Sequence, residues 1–481
     1  MVQAYERKHR IVVLGGGPGG YEAALAGAQL GADVTLIERS GVGGAAVLTD
    51  VVPSKSLIAT AEAARAVRES GNLGVQAFLP GADGKPIRPE IALNLAAVNR
   101  RLLAMAAAQS VDMQTTLEDA GVRVVHGDGR LDGSNAVLVS TASGGEGTDF
   151  DRVEADTIVV AVGARPRELD SARPDGERIL NWKQLYDLTT LPEHLIVVGS
   201  GVTGAEFANA YRTLGAEVTL VSSRDRVLPG EDPDAATVIE NEFKRIGMNV
   251  MSKSRAESVS RTDAGVLVHL ADGSTIEGSH CLMAVGSIPN TVGIGLRAAG
   301  VELTESGHIR VNKVARTAVP SIYAAGDCTD FYPLASVASM QGRTAIMHAL
   351  GDFVRPIDLR NVAANVFTHP EIANVGWNER TLADATGMAR SVQYTIPLNI
   401  NPRAKMMGIK DGFVKLFAWE ASRTVIGGVI VAPRASELIF PLALAVEHRL
   451  TVDQVASAFA VYPSLSGAIT DAARAMHASQ L

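Results

Sequence analysis

The strongest constraint on this chain is a unit that it contains twice. An apolar run breaks into a glycine turn, a helix-compatible stretch follows, and a second apolar run closes the unit. In the first copy Ile11-Val12-Val13-Leu14 leads into Gly15-Gly16-Gly17-Pro18-Gly19-Gly20, a helix is expected over about 21–30, and the run from Val34 to Ile37 ends at Glu38. In the second, Leu195-Ile196-Val197-Val198 leads into Gly199-Ser200-Gly201-Val202-Thr203-Gly204 and, after a helix, into Glu217-Val218-Thr219-Leu220-Val221. An offset of 184 positions lays LGADVTLI on LGAEVTLV without a gap. Gly15, Gly17 and Gly20 fit GxGxxG, as do Gly199, Gly201 and Gly204. Such glycines permit a tight turn and let a pyrophosphate approach the helix N-terminus, where amide N–H groups and the dipole favour anions. Two βαβ units of this kind imply two dinucleotides in one chain.

One difference between the copies is informative. Glu38 lies 18 residues beyond Gly20, where a carboxylate would accept hydrogen bonds from ribose hydroxyls. The equivalent position in the second copy holds Ser222. A carboxylate there would repel a ribose 2′-phosphate, whereas Ser222-Ser223-Arg224, with Arg226 just beyond, would donate hydrogen bonds and positive charge. The second site is therefore expected to tolerate or prefer NADPH, with NADH still open. The bland alternative is that these arginines only solvate a loop.

A length of 481 residues suggests roughly three domains at about 150 residues each. A hydrophobic share of 47% and 47 glycines fit an α/β protein with ample core. The net charge of −8, without a basic stripe, argues against nucleic acid as a partner. Cys281 and Cys328 lie far apart, in no CxxC or metal pattern, and read as ordinary small buried residues. The ten histidines form no HExxH or paired-ligand cluster, so no metal is expected. No apolar run reaches membrane-spanning length, and a first strand at Ile11 leaves no room for a signal peptide. A cytoplasmic protein is the resulting expectation. The stretch 76–90 is rich in Gly and Pro and reads as a surface loop between helices.

Beyond the two glycine turns, the stretch Gly43–Lys55, GGAAVLTDVVPSK, resembles the redox-active segment of the flavoprotein disulfide reductases, the family of dihydrolipoamide dehydrogenase and glutathione reductase. That segment reads GGTC-x4-C-x-PSK, and its two cysteines form the disulfide that accepts electrons from FAD. Aligned without a gap, the cysteine positions fall on Ala46 and Val51. TIVVAVGARP (Thr157 to Pro166) and HCLMAVGSIPN (His280 to Asn290) resemble the two crossings between the family's FAD and nicotinamide domains. SIYAAGDCTD (Ser321 to Asp330) matches its second FAD fingerprint. FTHPEIANVGW (Phe367 to Trp377), NPRAKMMG (Asn401 to Gly408) and GFVKLF (Gly412 to Phe417) resemble its C-terminal interface domain. The resemblance runs from Ile11 to about Ala473.

The fold so implied is α/β, with two Rossmann-like dinucleotide-binding domains, for FAD and NAD(P), plus a C-terminal α+β dimerisation domain. The expected division is 1–160 with 282–355 for FAD, 161–281 for NAD(P), and 356–481 for the interface. The resemblance implies FAD as cofactor and NADPH or NADH as co-substrate. On the FAD side it implicates Gly15, Gly17, Gly20, Glu38, Gly44, Lys55, Gly127, Gly163, Asp327 and Ala335. Asp327 would hydrogen-bond the ribityl chain, and the backbone at Leu334-Ala335 would lie near the flavin ring. On the nicotinamide side it implicates Gly199, Gly201, Gly204, Ser222, Ser223, Arg224 and Gly286. The family's homodimer, in which each tail completes the partner's active site, is implied as well.

The tail departs from the family a second time. Its HAHPTLSE reads Ala460-Val461-Tyr462-Pro463-Ser464-Leu465-Ser466-Gly467 here, so Tyr462 replaces the catalytic histidine and Gly467 its glutamate. A dithiol relay needs two sulfurs and an imidazole that titrates near neutral pH. All of these are gone, which excludes dihydrolipoamide dehydrogenase activity. The flavin apparatus is retained. In the family, the ammonium equivalent to Lys55, on a helix expected to start near Pro53, sits by flavin N5 and pairs with a glutamate, here Glu206. Positive charge there meets the negative charge that develops when N5 accepts hydride.

With Ala46 and Val51 small and apolar, and Tyr462 of the second chain adding an aromatic wall, the vacated face suits a flat two-electron acceptor with carbonyl oxygens. The expected activity is NAD(P)H:quinone oxidoreduction, with hydride passing to FAD and two electrons passing directly to a quinone. Two rivals stand beside it. A soluble pyridine-nucleotide transhydrogenase usually keeps one cysteine and the tail histidine, and neither is present. A catalytically idle FAD-binding scaffold would not need Lys55, Glu206 or the nicotinamide fingerprint.

Overall fold

The apolar tetrapeptide that opens each repeat becomes the middle strand of a parallel sheet. In the computed structural model, which describes residues 7–75, 79–80, 86–87, 92–140, 150–384 and 390–478, the described chain divides into two compact units. The first comprises residues 7–54, 100–167 and 286–359; the second comprises 55–99, 168–285 and 360–478.

In the first unit, strand Arg10–Leu14 pairs in parallel with Asp33–Glu38 on one side and Thr157–Val160 on the other. Ile322–Ala324 and Arg123–His126 complete five parallel strands. A parallel sheet covered on both faces selects continuous apolar runs, and Ile11, Val12, Val13 and Leu14 are all at most 2% exposed. The helix is Pro18–Gln29, capped by Gly17, and so begins earlier than the glycine spacing predicts. Proline accounts for this. Its fixed φ suits the first helical position, where no N–H is required. This helix packs on Ala335–Ala349, and a Cβ added at Gly342 would meet the Gly19 carbonyl oxygen at 1.9 Å.

The second unit repeats the arrangement. His194–Val198 lies between Glu217–Val221 and His280–Met283, with Asn249–Met251 and Ile179–Leu180 at the edges. The same unit holds an antiparallel five-stranded sheet, Ala363–Val366, Glu371–Gly376, Val425–Ala432, Phe413–Trp419 and Ser391–Pro397 in spatial order. Helices Phe440–Glu447 and Gly467–Ala478 cover that sheet with Leu442, Ile469, Ala472 and Ala473.

The nicotinamide-type and C-terminal sheets lie in the same compact unit. An ion cluster ties them. The Lys415 ammonium, fully buried on strand Phe413–Trp419, donates to Asp232 at 3.0 and 3.1 Å, to Asp234 at 2.7 Å and to Glu379 at 2.9 Å. Asp232 also caps helix Pro233–Arg245 by accepting from the Asp234 and Ala235 amides. Asn374 adds a hydrogen bond to Glu231 at 2.8 Å.

Within 76–90, residues 76–78, 81–85 and 88–90 lie outside the described residues. The described pieces, Leu79–Pro80 and Pro86–Ile87, form an antiparallel pair where a plain loop was expected. No described helix is long and apolar enough to cross a membrane.

Candidate active site

The first glycine turn is shaped by backbone contacts that tolerate no side chain. Gly15 has φ +93°, and a Cβ there would meet the Ala161 carbonyl oxygen at 2.4 Å. A Cβ on Gly20 would meet the Gly15 carbonyl oxygen at 1.8 Å, so only glycine lets the helix sit this close to the strand. Gly17 faces open space, and its helix start has no side-chain cap. Its first amide N–H groups are therefore left for an anion.

The Glu38 carboxylate is 7% exposed and accepts the Gly16 amide at 2.6 Å and the amides of Ser40 and Gly41 at 2.6 and 3.3 Å. A carboxylate has about four acceptor sites, so one remains for a ribose hydroxyl. The Gly43-Gly44 pair lies against the same turn. The Gly43 amide donates to the Gly16 carbonyl at 2.7 Å, and a Cβ on Gly44 would reach Gly17 Cα at 2.9 Å. Gly127 donates to the Glu38 carbonyl at 3.0 Å. Gly163 and Gly286 adopt φ +63° and +94°, and each would present its Cβ to open space.

Asp327 follows strand Ile322–Ala324, and burial raises its carboxyl above the ordinary range. Among the described residues it has no hydrogen-bond partner. The turn that presents it is fixed by fully buried Gln341, which accepts from the Gly326 amide at 2.8 Å and donates to Thr329 at 3.2 Å. Ala335 opens helix Ala335–Ala349, whose Leu334 cap supplies no side-chain hydrogen bond. Two uncapped helix starts, a glycine cradle and an unpartnered carboxyl fit FAD, which needs anion donors for its pyrophosphate and an acceptor for its hydroxyls.

The second turn repeats this geometry. Gly199 has φ +112°, with its Cβ position 2.2 Å from the Ala284 carbonyl oxygen. The Cβ position of Gly204 lies 1.8 Å from the Gly199 carbonyl oxygen, and Gly201 faces open space. Ser222 departs from its expected ribose contact. It is fully buried, its hydroxyl lies 2.7 Å from that of Ser200, and it accepts the Arg224 amide at 3.1 Å. Ser200 is the counterpart of Gly16, so a serine pair replaces the bond between Glu38 and Gly16. The short hydroxyl turns inward to reach it. Ser223 and Arg224 stay exposed, and the Arg224 carbonyl accepts the Lys253 amide at 2.7 Å.

Lys55 and Glu206 do meet. Nζ donates to Oε2 at 2.8 Å, with Glu206 buried and the Lys55 side chain 28% exposed. The lysine sits on helix Val51–Glu69, which starts two residues before Pro53. Sequence reasoning missed the partners that hold the pair. Glu206 Oε1 accepts the Phe367 amide at 2.8 Å, and the Phe367 ring centroid lies 4.8 Å from the Lys55 ammonium. Asn209, one turn beyond Glu206, accepts the His369 amide at 2.8 Å. Only the run FTHP, the four residues between strands Ala363–Val366 and Glu371–Gly376, marks this segment in the sequence.

The relay positions stay bare. Ala46 is half-buried on the short helix Gly44–Leu48, and Val51 is 37% exposed. Both cysteines are buried; burial pushes the Cys328 thiol up to about 12 and the Cys281 thiol higher still. Neither forms a nucleophilic thiolate near neutral pH. His369 does not replace the lost tail imidazole, since burial, and then Arg65 and Arg245, lower its pKa to about 3. Tyr462 is 82% exposed and makes no hydrogen bond to the lysine–glutamate pair. Gly467 starts the last helix, where its amide donates to Ser464 Oγ at 3.0 Å.

Two dinucleotide folds and a paired lysine, with a separate antiparallel sheet, define an oxidoreductase that joins a flavin nucleotide to a nicotinamide nucleotide. The chain belongs to the pyridine nucleotide-disulphide oxidoreductase family, whose description matches residues 9–342, with the family's dimerisation domain at 362–473. It is 50% identical over 477 residues to a protein of Mycobacterium tuberculosis named NAD(P)H dehydrogenase (quinone), a match covering 98% of this chain and 94% of that one. It is 34% identical over 469 residues to dihydrolipoyl dehydrogenase 2 of Haloarcula marismortui, covering 97% and 96%. The crystal structure of LpdA from Mycobacterium tuberculosis is similar at a TM-score of 0.90 and 49% identity, over 97% of this chain and 99% of that one. The family implies FAD and a pyridine nucleotide.

Proposed function

We propose that the protein is an NAD(P)H:quinone oxidoreductase. The observation that carries this reading is the intact Lys55–Glu206 ion pair, at 2.8 Å, in a chain that keeps no sulfur or imidazole for a disulfide relay. FAD, when bound, supplies two-electron carriage between the nicotinamide and the quinone. The chain's own residues do the rest. Gly15, Gly17, Gly20, Gly44, Gly127, Gly163, Glu38, Asp327 and Ala335 hold the flavin nucleotide. Gly199, Gly201, Gly204, Ser223, Arg224 and Gly286 serve the nicotinamide nucleotide. Lys55 holds positive charge by the flavin, and Glu206 keeps that lysine aimed. Ala46 and Val51 leave an apolar opening, and Tyr462 of a second copy closes it, so the working form is a cytoplasmic homodimer. Residues 1–160 with 282–355, 161–281, and 356–481 form its FAD, NAD(P) and interface domains. The name of the Mycobacterium tuberculosis relative supports quinone as acceptor.

The test is anaerobic addition of NADPH to the yellow protein, followed by a soluble quinone. Bleaching and then recovery of the flavin colour is the expected result. Bleaching without recovery removes the quinone, and no bleaching at all favours the idle scaffold.

Nucleotide choice follows from the serine pair. Without a carboxylate at position 222, and with exposed Arg224 beside it, the site leans to NADPH. The double replacement Ser200→Gly, Ser222→Glu rebuilds the bond between Glu38 and Gly16 in the second copy. Like charges juxtaposed in a site cost several kcal/mol. The ratio of kcat/KM for NADPH over NADH should therefore fall by about tenfold or more in steady-state assays. An unchanged ratio would mean that position 222 does not face the ribose.

A further inference from the structure

We propose that Phe367 is a positioning residue that aims the Lys55 ammonium. This rests on the preceding reading, in which Lys55 serves the flavin. Phe367 acts at both members of the ion pair. Its backbone amide donates to Glu206 Oε1 at 2.8 Å, while Lys55 binds the other oxygen, Oε2, at 2.8 Å. Its ring lies under the ammonium, 4.8 Å from centroid to Nζ, within cation–π range. The carboxylate and the ring thus hold the ammonium from two directions. A flexible four-carbon stem would otherwise let it wander.

The ring is itself fixed. Glu206 and Asn209 lie three residues apart on helix Val202–Leu214, where such spacing places both side chains on one face. They accept the amides of Phe367 and His369, two residues apart, and so pin the segment at both ends. Glu206 and Asn209 are 3% and 6% exposed, so both hydrogen bonds are shielded from water. The segment that aims the lysine follows strand Ala363–Val366 of the C-terminal sheet, whereas the lysine belongs to helix Val51–Glu69.

The experiment uses the FAD-loaded protein with Phe367→Leu and Phe367→Tyr. Leucine keeps the backbone amide and the apolar contact but removes the π face; tyrosine keeps both. The midpoint potential of the bound FAD, set by chemical reduction in a redox titration, reads the ammonium without any nicotinamide. F367L should lower it, because positive charge beside the flavin favours the reduced form, and F367Y should hold the parental value. Anaerobic flavin reduction by NADPH should slow about five- to tenfold in F367L and stay within about twofold in F367Y. In a Lys55→Met background F367L should cause no further slowing, because the ring then has no ammonium to aim. The proposal is overturned by an F367L potential equal to the parent's, by equal slowing in both backgrounds, or by F367Y failing as F367L does. A parent protein that NADPH does not reduce overturns the functional reading instead, and the potential still decides the role of Phe367.

Discussion

Lys55→Met slows the reduction of bound FAD by NADPH about a hundredfold in anaerobic stopped-flow, with the flavin still bound. The estimate follows from the loss of one preorganised charge that stabilises developing negative charge, typically worth 10²–10³ in rate. The substitution also strands Glu206. That carboxylate is 3% exposed and, among the described residues, would keep only the Phe367 amide as a donor. A buried carboxylate without its cation is costly, so the variant should also melt earlier. The double variant Lys55→Met, Glu206→Gln separates the two effects, because it removes the stranded charge. It should recover stability and leave flavin reduction slow. Recovery of both would mean that Lys55 only neutralises Glu206.

Lys415→Met destabilises the second unit by about 3–5 kcal/mol, the usual cost of breaking a buried ion pair from one side. Lys415 is 0% exposed and Asp232 1% by side chain, so the carboxylate that remains cannot reach water. Methionine fills a similar volume, which assigns the loss to charge and not to a cavity. The measurement is chemical denaturation followed by far-UV circular dichroism, with Asp232→Asn added to the lysine variant as a partial rescue. A loss below about 1 kcal/mol would remove the cluster as the tie between the two sheets. The pH dependence has a defined sign. Burial alone would lower the Lys415 pKa, but hydrogen bonds to Asp234, Glu379 and Asp232 outweigh it and hold the pKa raised. A group whose folded pKa is raised contributes fully below its unfolded value, so the contribution is complete at pH 7. It fades only as the pH climbs beyond the ordinary lysine range.

Most of the fold was legible because glycine geometry is unforgiving. A Cβ on Gly20 or Gly204 would sit 1.8 Å from a carbonyl oxygen, so those residues admit little other than this turn. Strand runs such as Ile11 to Leu14 read equally well because both faces of their sheet are covered. The Lys55–Glu206 pair was legible only through the resemblance, since 151 residues separate its members. Three things were hidden, each for a physical reason. A serine hydroxyl carries no directional signature, so nothing in the residues said that Ser222 would turn inward to Ser200. Backbone amides have no sequence identity, which concealed the Phe367 and His369 contacts. The lysine in GFVKLF reads as one more alternating strand position, and its burial among three carboxylates is a product of tertiary contact alone.

The central claim is that electrons leave the flavin without passing through sulfur. Steady-state oxidation of NADPH by the purified FAD-loaded protein, with a soluble quinone and lipoamide assayed side by side, tests it most directly. Rapid turnover with the quinone and none with lipoamide is the predicted result. Turnover with lipoamide would contradict the account, because neither Ala46 nor Val51 can accept electrons and Cys281 and Cys328 are buried.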